Sequence, residues 1–330
     1  MLLSDTLKQL LNILADGEFH SGTELAKQLA ISRSAIWKQL QALADLGVDL
    51  IAITGKGYRL QHPLQLLNQQ TVISQLAPLT QTLIQQLEIH DVIDSTNRHL
   101  LEQARQGASS GTVCVAEHQT AGRGRRGRQW VSPFGHNLYL SILWHYQNGP
   151  AAIAGLSLAL GVAVVRALKQ LGVDEVGLKW PNDIYCQQRK LAGILVEVSG
   201  ESSGPCHAVI GLGLNFYLSP QQAETIEQAW IDIASVLGEN AHQHRNHLLA
   251  LLLNQLLPVI AEFEAKGLSH FVDEWRSYDC LKGQAASLYI GENRFDGTII
   301  GIDDNGLIQL ADPQGQIRTY ASGEVSFRPS

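Results

Sequence analysis

The chain has 330 residues, 45% of them hydrophobic and 17% charged, with a net charge of -7 at pH 7. That length and apolar content support two or three domains with sizeable cores, while the acidic balance excludes a protein that coats nucleic acid without specificity and leaves room only for a local basic face. The four cysteines, Cys114, Cys186, Cys206 and Cys280, are far apart with no CxxC pair, which argues against both a zinc site and a disulfide framework and fits a reducing, cytoplasmic setting. No charged segment followed by an apolar core opens the chain, so a secretory leader is not expected. The longest apolar run, Ala151 to Val165, falls short of the roughly 20 residues a membrane span needs; it reads as a buried helix, and no membrane partner is expected.

Residues 1–62 read as three short helices and a hairpin. Leu7, Leu10, Leu11 and Leu14 follow helical spacing up to the Asp16-Gly17 turn. Ser21 and Glu24 form a capping box for a second helix. Ser32 caps a third, with Ile36, Leu40 and Leu43 on its apolar face and Gly47 at its end. Val48–Ile53 and Tyr58–Leu60, joined by Thr54-Gly55-Lys56-Gly57, read as a hairpin. This arrangement looks like a winged helix-turn-helix, which would present Ser32, Arg33, Ser34, Lys38 and Gln39 to the major groove, with Lys56 and Arg59 on the wing. Six Lys or Arg against six Asp or Glu in this segment leave a protein-docking module open beside DNA binding. Trp37 is a bulky residue in the recognition helix and leaves the base contacts open.

Residues 63–87 read as a Gln-rich linker with one or two helical segments. Beyond it, strands are expected at 88–93, 113–117, 137–143, 177–180, 192–198 and 208–215, and helices at 97–105 and 156–171, with a helical block from Gln221 to Ser277 covering the sheet. From Lys282 five short strands separated by turns suggest a small barrel.

The most informative stretch is Gly122–Trp130, GRGRRGRQW. Glycines let backbone amides approach an anion, and arginine forks donate to phosphate or carboxylate oxygens. By composition the loop is mobile and orders with its ligand. A triphosphate loop and a solvent-exposed patch for nucleic acid fit it equally; a P-loop does not, because GK[ST] is absent. Other segments decide the matter. Asp94-Ser95-Thr96-Asn97, Gln119-Thr120-Ala121 before the arginines, Ser132-Pro133-Phe134-Gly135 after them, Lys179-Trp180-Pro181-Asn182-Asp183, Arg189 to Glu197 (RKLAGILVE) and Gly211-Leu212-Gly213-Leu214-Asn215 occur in order. In this set, and from the N-terminal helices to the terminal strands, the chain resembles the biotin protein ligases.

The resemblance implies an α+β multidomain protein: a winged helix-turn-helix (1–62), a linker (63–87), a catalytic domain of mixed sheet and helices related to class II aminoacyl-tRNA synthetases (88–278) and an SH3-like β-barrel (279–330). It implies a biotin-[acetyl-CoA-carboxylase] ligase that makes biotinyl-5'-AMP from biotin and ATP with Mg2+ and transfers biotin to a lysine of the biotin carboxyl carrier protein. It also implies a biotin operon repressor with the adenylate as corepressor; the alternative is a ligase whose winged helix no longer binds DNA. A lipoate ligase and a regulator that only senses ligand are the rivals. Ser95, Thr96, Asn97 and Gln119 would contact the ureido ring of biotin, which Gly124, Gly193, Arg123 and Arg125 would also border. Gly122, Arg125, Arg126, Arg128, Trp130, Asn182 and Asn215 would hold ATP or the adenylate. Lys190 would bind the carboxylate and then the phosphate. Lys179 and Asp183 serve either the ATP and Mg2+ or the incoming lysine, for which Asp183 is the preferred base. Gln129 departs from the basic residue common in the family. The segment Gly193–Val198 is expected at the edge used for homodimerisation by the adenylate-bound protein, which would set two winged helices on a two-fold operator.

Overall fold

The computed structural model describes residues 3–201, 203–238 and 241–327. Helix α1 (Asp5–Leu14) starts at Ser4, whose hydroxyl accepts from the Leu7 amide, and buries Leu7, Leu10, Leu11 and Leu14, the one-sided spacing of an amphipathic helix. Helix α2 (Gly22–Gln28) opens on the Ser21/Glu24 capping box and α3 (Arg33–Asp45) on Ser32. Strands β1 (Leu50–Ile53) and β2 (Gly57–Leu60) pair antiparallel as the wing. Gly57 is there by necessity: its φ is +110° and an added Cβ would lie 2.1 Å from the His20 carbonyl oxygen.

Residues 63–87 are no loose tether. They contain α4 (Gln69–Ile73) and α5 (Pro78–Leu83), and Leu67, Val72 and Leu76 sink into the main core.

That core lies against one seven-stranded sheet. In chain order its region comprises β3 (Gln86–Ile93), α6 (Thr96–Arg105), β4 (Thr112–Gln119), β5 (Leu138–Tyr146), α7 (Gly149–Ala152), α8 (Leu156–Gln170), β6 (Val176–Lys179), β7 (Asp183–Cys186), β8 (Arg189–Gly200), β9 (Cys206–Leu214), α9 (Ile233–Leu237), α10 (Arg245–Lys266) and α11 (Val272–Ser277). The strand order is β3-β4-β5-β9-β8-β7-β6; β3 and β4 are parallel and the other pairs antiparallel, so the sheet is mixed. Helices α8 and α10 bring their leucine and valine faces into the main core with the inward residues of the sheet. On the other face α6 lays Leu100 and Ala104 over Cys114, Leu143 and Val209. Although α10 is long and apolar enough to cross a bilayer, Leu248, Leu249, Leu252, Leu253, Leu256 and Leu257 are buried in this core. The terminal domain is a five-stranded antiparallel sheet, β10 (Ala285–Ile290), β11 (Asn293–Ile302), β12 (Ile308–Ala311), β13 (Ile317–Tyr320) and β14 (Glu324–Phe327), ordered β13-β12-β11-β10-β14.

Two expectations are corrected. The helical block does not begin at Gln221: residues 221–230 form turns and extended chain, and the long helix starts at Arg245. The polar run from Gln221 to Gln228 carries no apolar stripe to bury, so no packing holds it as a helix. Secondly, β7 was not foreseen. It forms a hairpin with β8 through Gln187 and Gln188, both at positive φ (50° and 59°).

The domains are joined by specific contacts. Lys8 lies 2.8 Å from Asp91, whose carboxylate also accepts from the Leu3 amide at 2.8 Å. Phe134, in the segment after the arginine loop, is buried in the winged-helix core with Leu64 and Val92. Trp180 donates its indole N-H to the Gly306 carbonyl at 2.9 Å, fastening the terminal domain.

His136 donates from Nδ1 to Gln222 Oε1 (3.1 Å) with its ring against Tyr217, which also packs on His62. Burial pushes its pKa down to about 4, against the opposing pull of the Gln222 bond. An unfolded histidine titrates near 6.5, so between about pH 4 and 6.5 the unfolded chain binds a proton that the folded chain does not, and stability rises with pH across that window. Acidification from pH 7 to 4.5 should therefore remove up to about 3 kcal/mol through this residue. In melts at both pH values His136→Gln should lose less stability than wild type; equal losses would refute the assignment.

Candidate functional site

The β7-β8 hairpin sets the centre. Asp183 pairs with Gly193 and Ile184 with Ala192, but Tyr185 pairs with Lys190, so Leu191 is an extra residue bulged out of the register. Side chains alternate along a strand, and a bulge breaks the alternation. It puts Lys190 on the same side as Gly193, where Lys190 Nζ reaches Asp183 Oδ1 at 2.9 Å, both side chains being mostly covered. Gly193 keeps the space between them: a Cβ there would stand 3.3 Å from both the Lys190 chain and the Trp130 ring.

Around this pair the arginine loop forms a short 3-10 turn over Arg125–Gly127, with Arg126 at φ +55°. Each arginine has a partner. Arg123 meets Glu197 at 2.9 Å, Arg125 donates to Asn182 Oδ1 at 2.8 Å, and Glu324 of the terminal sheet takes Arg128 at 2.6 Å and Arg126 at 3.8 Å. The loop read as mobile from its composition is thus tied to β8, to the turn before β7 and to β14, where two carboxylates offset part of the charge of four arginines. Burial and the neighbouring Arg126 lower the pKa of Arg125, opposed by Asp183 and Glu324. Lys179 donates to the Tyr185 hydroxyl at 2.9 Å; its pKa is lowered by burial, against the attraction of Asp183.

The opposite wall is a neutral polar cluster at the start of α6. Gln119 Oε1 accepts from the Thr96 amide at 2.9 Å, and the Ser141 hydroxyl lies 2.6 Å from Asn97 Oδ1, its acceptor, and 2.7 Å from the Thr96 hydroxyl. Asn97 in turn donates to Glu197 at 2.9 Å. Ser95 makes no capping bond and borders the cavity. Two glycines of β9 make room: a Cβ on Gly211 would lie 2.3 Å from Asn97, and one on Gly213 2.5 Å from the Trp130 indole. The buried Trp130 indole N-H has no hydrogen-bond partner among the described residues, and Lys190 Nζ stands 5.6 Å from the ring centre.

These walls enclose a cavity of about 890 Å³, the size of a nucleotide-bearing ligand. The structure brings Ser95, Thr96, Asn97, Gln119, Arg123, Gly124, Arg125, Arg128, Trp130, Lys179, Asn182, Asp183, Lys190, Gly193 and Asn215 to its border, and leaves Gly122 and Arg126 off it. Gly122 is buried behind the wall, accepting from the Trp130 amide. The Asn215 side chain is occupied with the Ile231 carbonyl at 3.2 Å and so anchors the strand end. Sequence reading missed Ser141, Glu197 and Glu324, and also Thr225–Trp230, which form part of the rim; Trp230 bridges Lys190 through the backbone. Only the tryptophan, isolated in a polar stretch, could have signalled that rim.

In the winged helix, Ser32, Arg33, Ser34, Lys38 and Lys56 are exposed and Gln39 is half-buried. Trp37 is 57% exposed. Arg59 departs from expectation: its guanidinium turns back over the Phe19 ring, 5.2 Å from its centre, and towards the Gly17 carbonyl, a cation-aromatic contact in place of an outward-facing one.

Residues 89–215 match the Biotin/lipoate A/B protein ligase family, residues 6–59 an HTH domain and residues 289–328 the Biotin protein ligase C terminal domain. The chain is 42% identical over 320 residues to the bifunctional ligase/repressor BirA of Escherichia coli K12, covering 97% of this chain and 96% of that protein. It is 32% identical over 237 residues to the biotin--[acetyl-CoA-carboxylase] ligase of Paracoccus denitrificans, 71% of this chain and 97% of the relative. A solved biotin protein ligase from Aquifex aeolicus in complex with biotin and ATP superposes with a TM-score of 0.63 at 29% identity, covering 75% of this chain and all of that one. The chain belongs to the biotin protein ligase family.

Proposed function

We propose that this chain is an ATP-dependent, AMP-forming biotin ligase and a biotin operon repressor in one. The observation that carries the reading is the convergence of Lys190, Arg125, Asp183 and Asn182 on one cavity whose far wall is the polar cluster of Ser95, Thr96 and Gln119. Hydroxyl and amide groups suit a ureido ring, which offers one acceptor and two donors; cations suit a carboxylate meeting a triphosphate.

In the first step a carboxylate oxygen of biotin attacks the α-phosphorus of ATP, the bond to the β-phosphate breaks and pyrophosphate leaves. Lys190 neutralises the carboxylate as it approaches the phosphates, and Arg125 and Arg128 take charge on the phosphate oxygens; this is electrostatic and positional catalysis. In the second step a lysine amine of the biotin carboxyl carrier protein attacks the acyl carbon, AMP leaves and the amine loses a proton, for which Asp183 is the carboxylate at hand. Mg2+ accompanying ATP would find hard oxygen donors in the Asp183 carboxylate; it would supply charge neutralisation of the triphosphate.

Beyond Gly193, strand β8 pairs with β9 alone among the described strands, and Val198 is 39% exposed. This open edge supports a homodimer favoured by the adenylate, which would place two α3 helices on operator DNA. The four free thiols suit the cytoplasm. Purified protein should release pyrophosphate only with biotin and ATP together, unaffected by lipoate, and should shift operator DNA with biotin and ATP but not without them, weakening as salt rises. Pyrophosphate release driven equally by lipoate, or a shift indifferent to the two substrates, would overturn the corresponding half.

A further inference from the structure

We infer a second, non-catalytic site for a zinc-like transition-metal ion between α6 and the edge of the sheet, held by Glu88, His90, His99 and Cys114. Glu88 and His90 lie two apart on β3 and so share a face; Cys114 is the register partner of Glu88 on β4; His99 comes from α6 above them. The donor atoms of all four lie within 4.8 Å of one another. Tetrahedral zinc, with bonds of about 2.0–2.3 Å, needs them roughly 3.3–3.8 Å apart, so small side-chain shifts suffice. Cysteine, imidazole and carboxylate together are a zinc donor set.

With Glu88 ionised, protons alone do not satisfy this cluster. His90 Nε2 and His99 Nε2 both point at the same oxygen, Glu88 Oε2, at 3.0 and 2.8 Å. The Gln103 amide nitrogen donates to Glu88 Oε1 at 3.0 Å and stands 2.9 Å from His99 Nε2. If His99 Nε2 carries a proton for Glu88, the amide faces another donor; if it does not, its lone pair faces a carboxylate oxygen. Turning the amide over sets its oxygen against Glu88 Oε1 instead. A cation among the donors removes the conflict. Two neutral imidazoles, one carboxylate and one thiolate cancel a divalent charge, which makes the buried floor at Cys114, 0% exposed, acceptable. The His90 and His99 side chains are 27% and 26% exposed, which gives an entry path.

The ion would pin the flank of α6, whose first turn carries Ser95, Thr96 and Asn97. None of its ligands borders the catalytic cavity, so the site is separable from turnover. The isolated cysteines hid it, because its donors come from two strands and a helix and only Glu88 and His90 are close in sequence.

The test is titration of the full chain with cobalt(II) in the absence of nucleotide. Wild type should take up one equivalent, with the intense visible bands of a tetrahedral ion and a near-ultraviolet thiolate charge-transfer band, and zinc should displace it and raise the melting temperature. His90→Gln and His99→Gln, both changes at partly exposed side chains, should each weaken uptake by at least about tenfold, and Cys114→Ala should remove the charge-transfer band. Absence of tetrahedral bands in wild type, or unchanged uptake in both histidine variants, would overturn the assignment, as would a charge-transfer band that survives in Cys114→Ala.

Discussion

Lys190→Ala should lower the single-turnover rate of pyrophosphate release by about 10²–10³-fold, the loss expected when one preorganised donor is removed from developing charge. The effect has two sources. The variant loses the cation that meets the carboxylate, and it deprives Asp183 of its ion-pair partner at 2.9 Å, leaving it freer to repel both that carboxylate and the phosphates. The second source makes a sharper prediction: Asp183→Asn added to Lys190→Ala should recover part of the rate of activation, because it removes the repulsion without restoring the cation. Lys190→Arg should rescue incompletely, since a planar fork does not replace a point charge in the space kept by Gly193. A Lys190→Ala rate within a few-fold of wild type would remove the lysine from the chemistry.

The second large effect is on stability. Arg245, 1% exposed, opens α10 and lies 2.6 Å from Glu117 on β4; it also donates to the carbonyls of Asn137 (2.7 Å) and Gln65 (2.9 Å). Glu117 completes the network by accepting from the Leu67 amide at 2.6 Å. One ion pair therefore ties helix, sheet and the segment leading from the winged helix. Removing one partner strands a buried charge and several carbonyls, which costs about 3–5 kcal/mol. Arg245→Ala should show that loss in urea unfolding of the full chain. A change under about 1 kcal/mol would mean that the pair is solvated in solution, as surface pairs are.

Much of this was legible before any coordinates. The first three helices were marked by serine caps and leucine spacing, and the structure returns them nearly unchanged, since local capping and one-sided burial act together there. Most of the site was legible through motifs, but its construction was not. Gln187-Gln188 makes a hairpin turn without the Asn-Gly or Gly pair that usually advertises two left-handed residues, so β7 went unseen and with it the bulge that turns Lys190 towards Asp183. The pairing of Glu324 with Arg126 and Arg128 spans nearly 200 residues and two domains, and no local pattern encodes it. Asn97 and Asn215 read as ligand contacts from the motifs, yet their amides are committed to Glu197 and to the Ile231 carbonyl; a motif records which residue is needed, not which neighbour needs it. Residues 221–230 failed in the opposite direction, since a stretch that folds by covering a cavity has no periodicity to read.

The most direct test of the account is transfer of labelled biotin from ATP-activated enzyme to the lysine of a biotin carboxyl carrier domain. The account predicts label on the carrier that depends on ATP, biotin and that lysine, with AMP released in equal amount. A protein that binds biotin and ATP but leaves the carrier unlabelled would contradict it and would make the cavity a sensor for the winged helix.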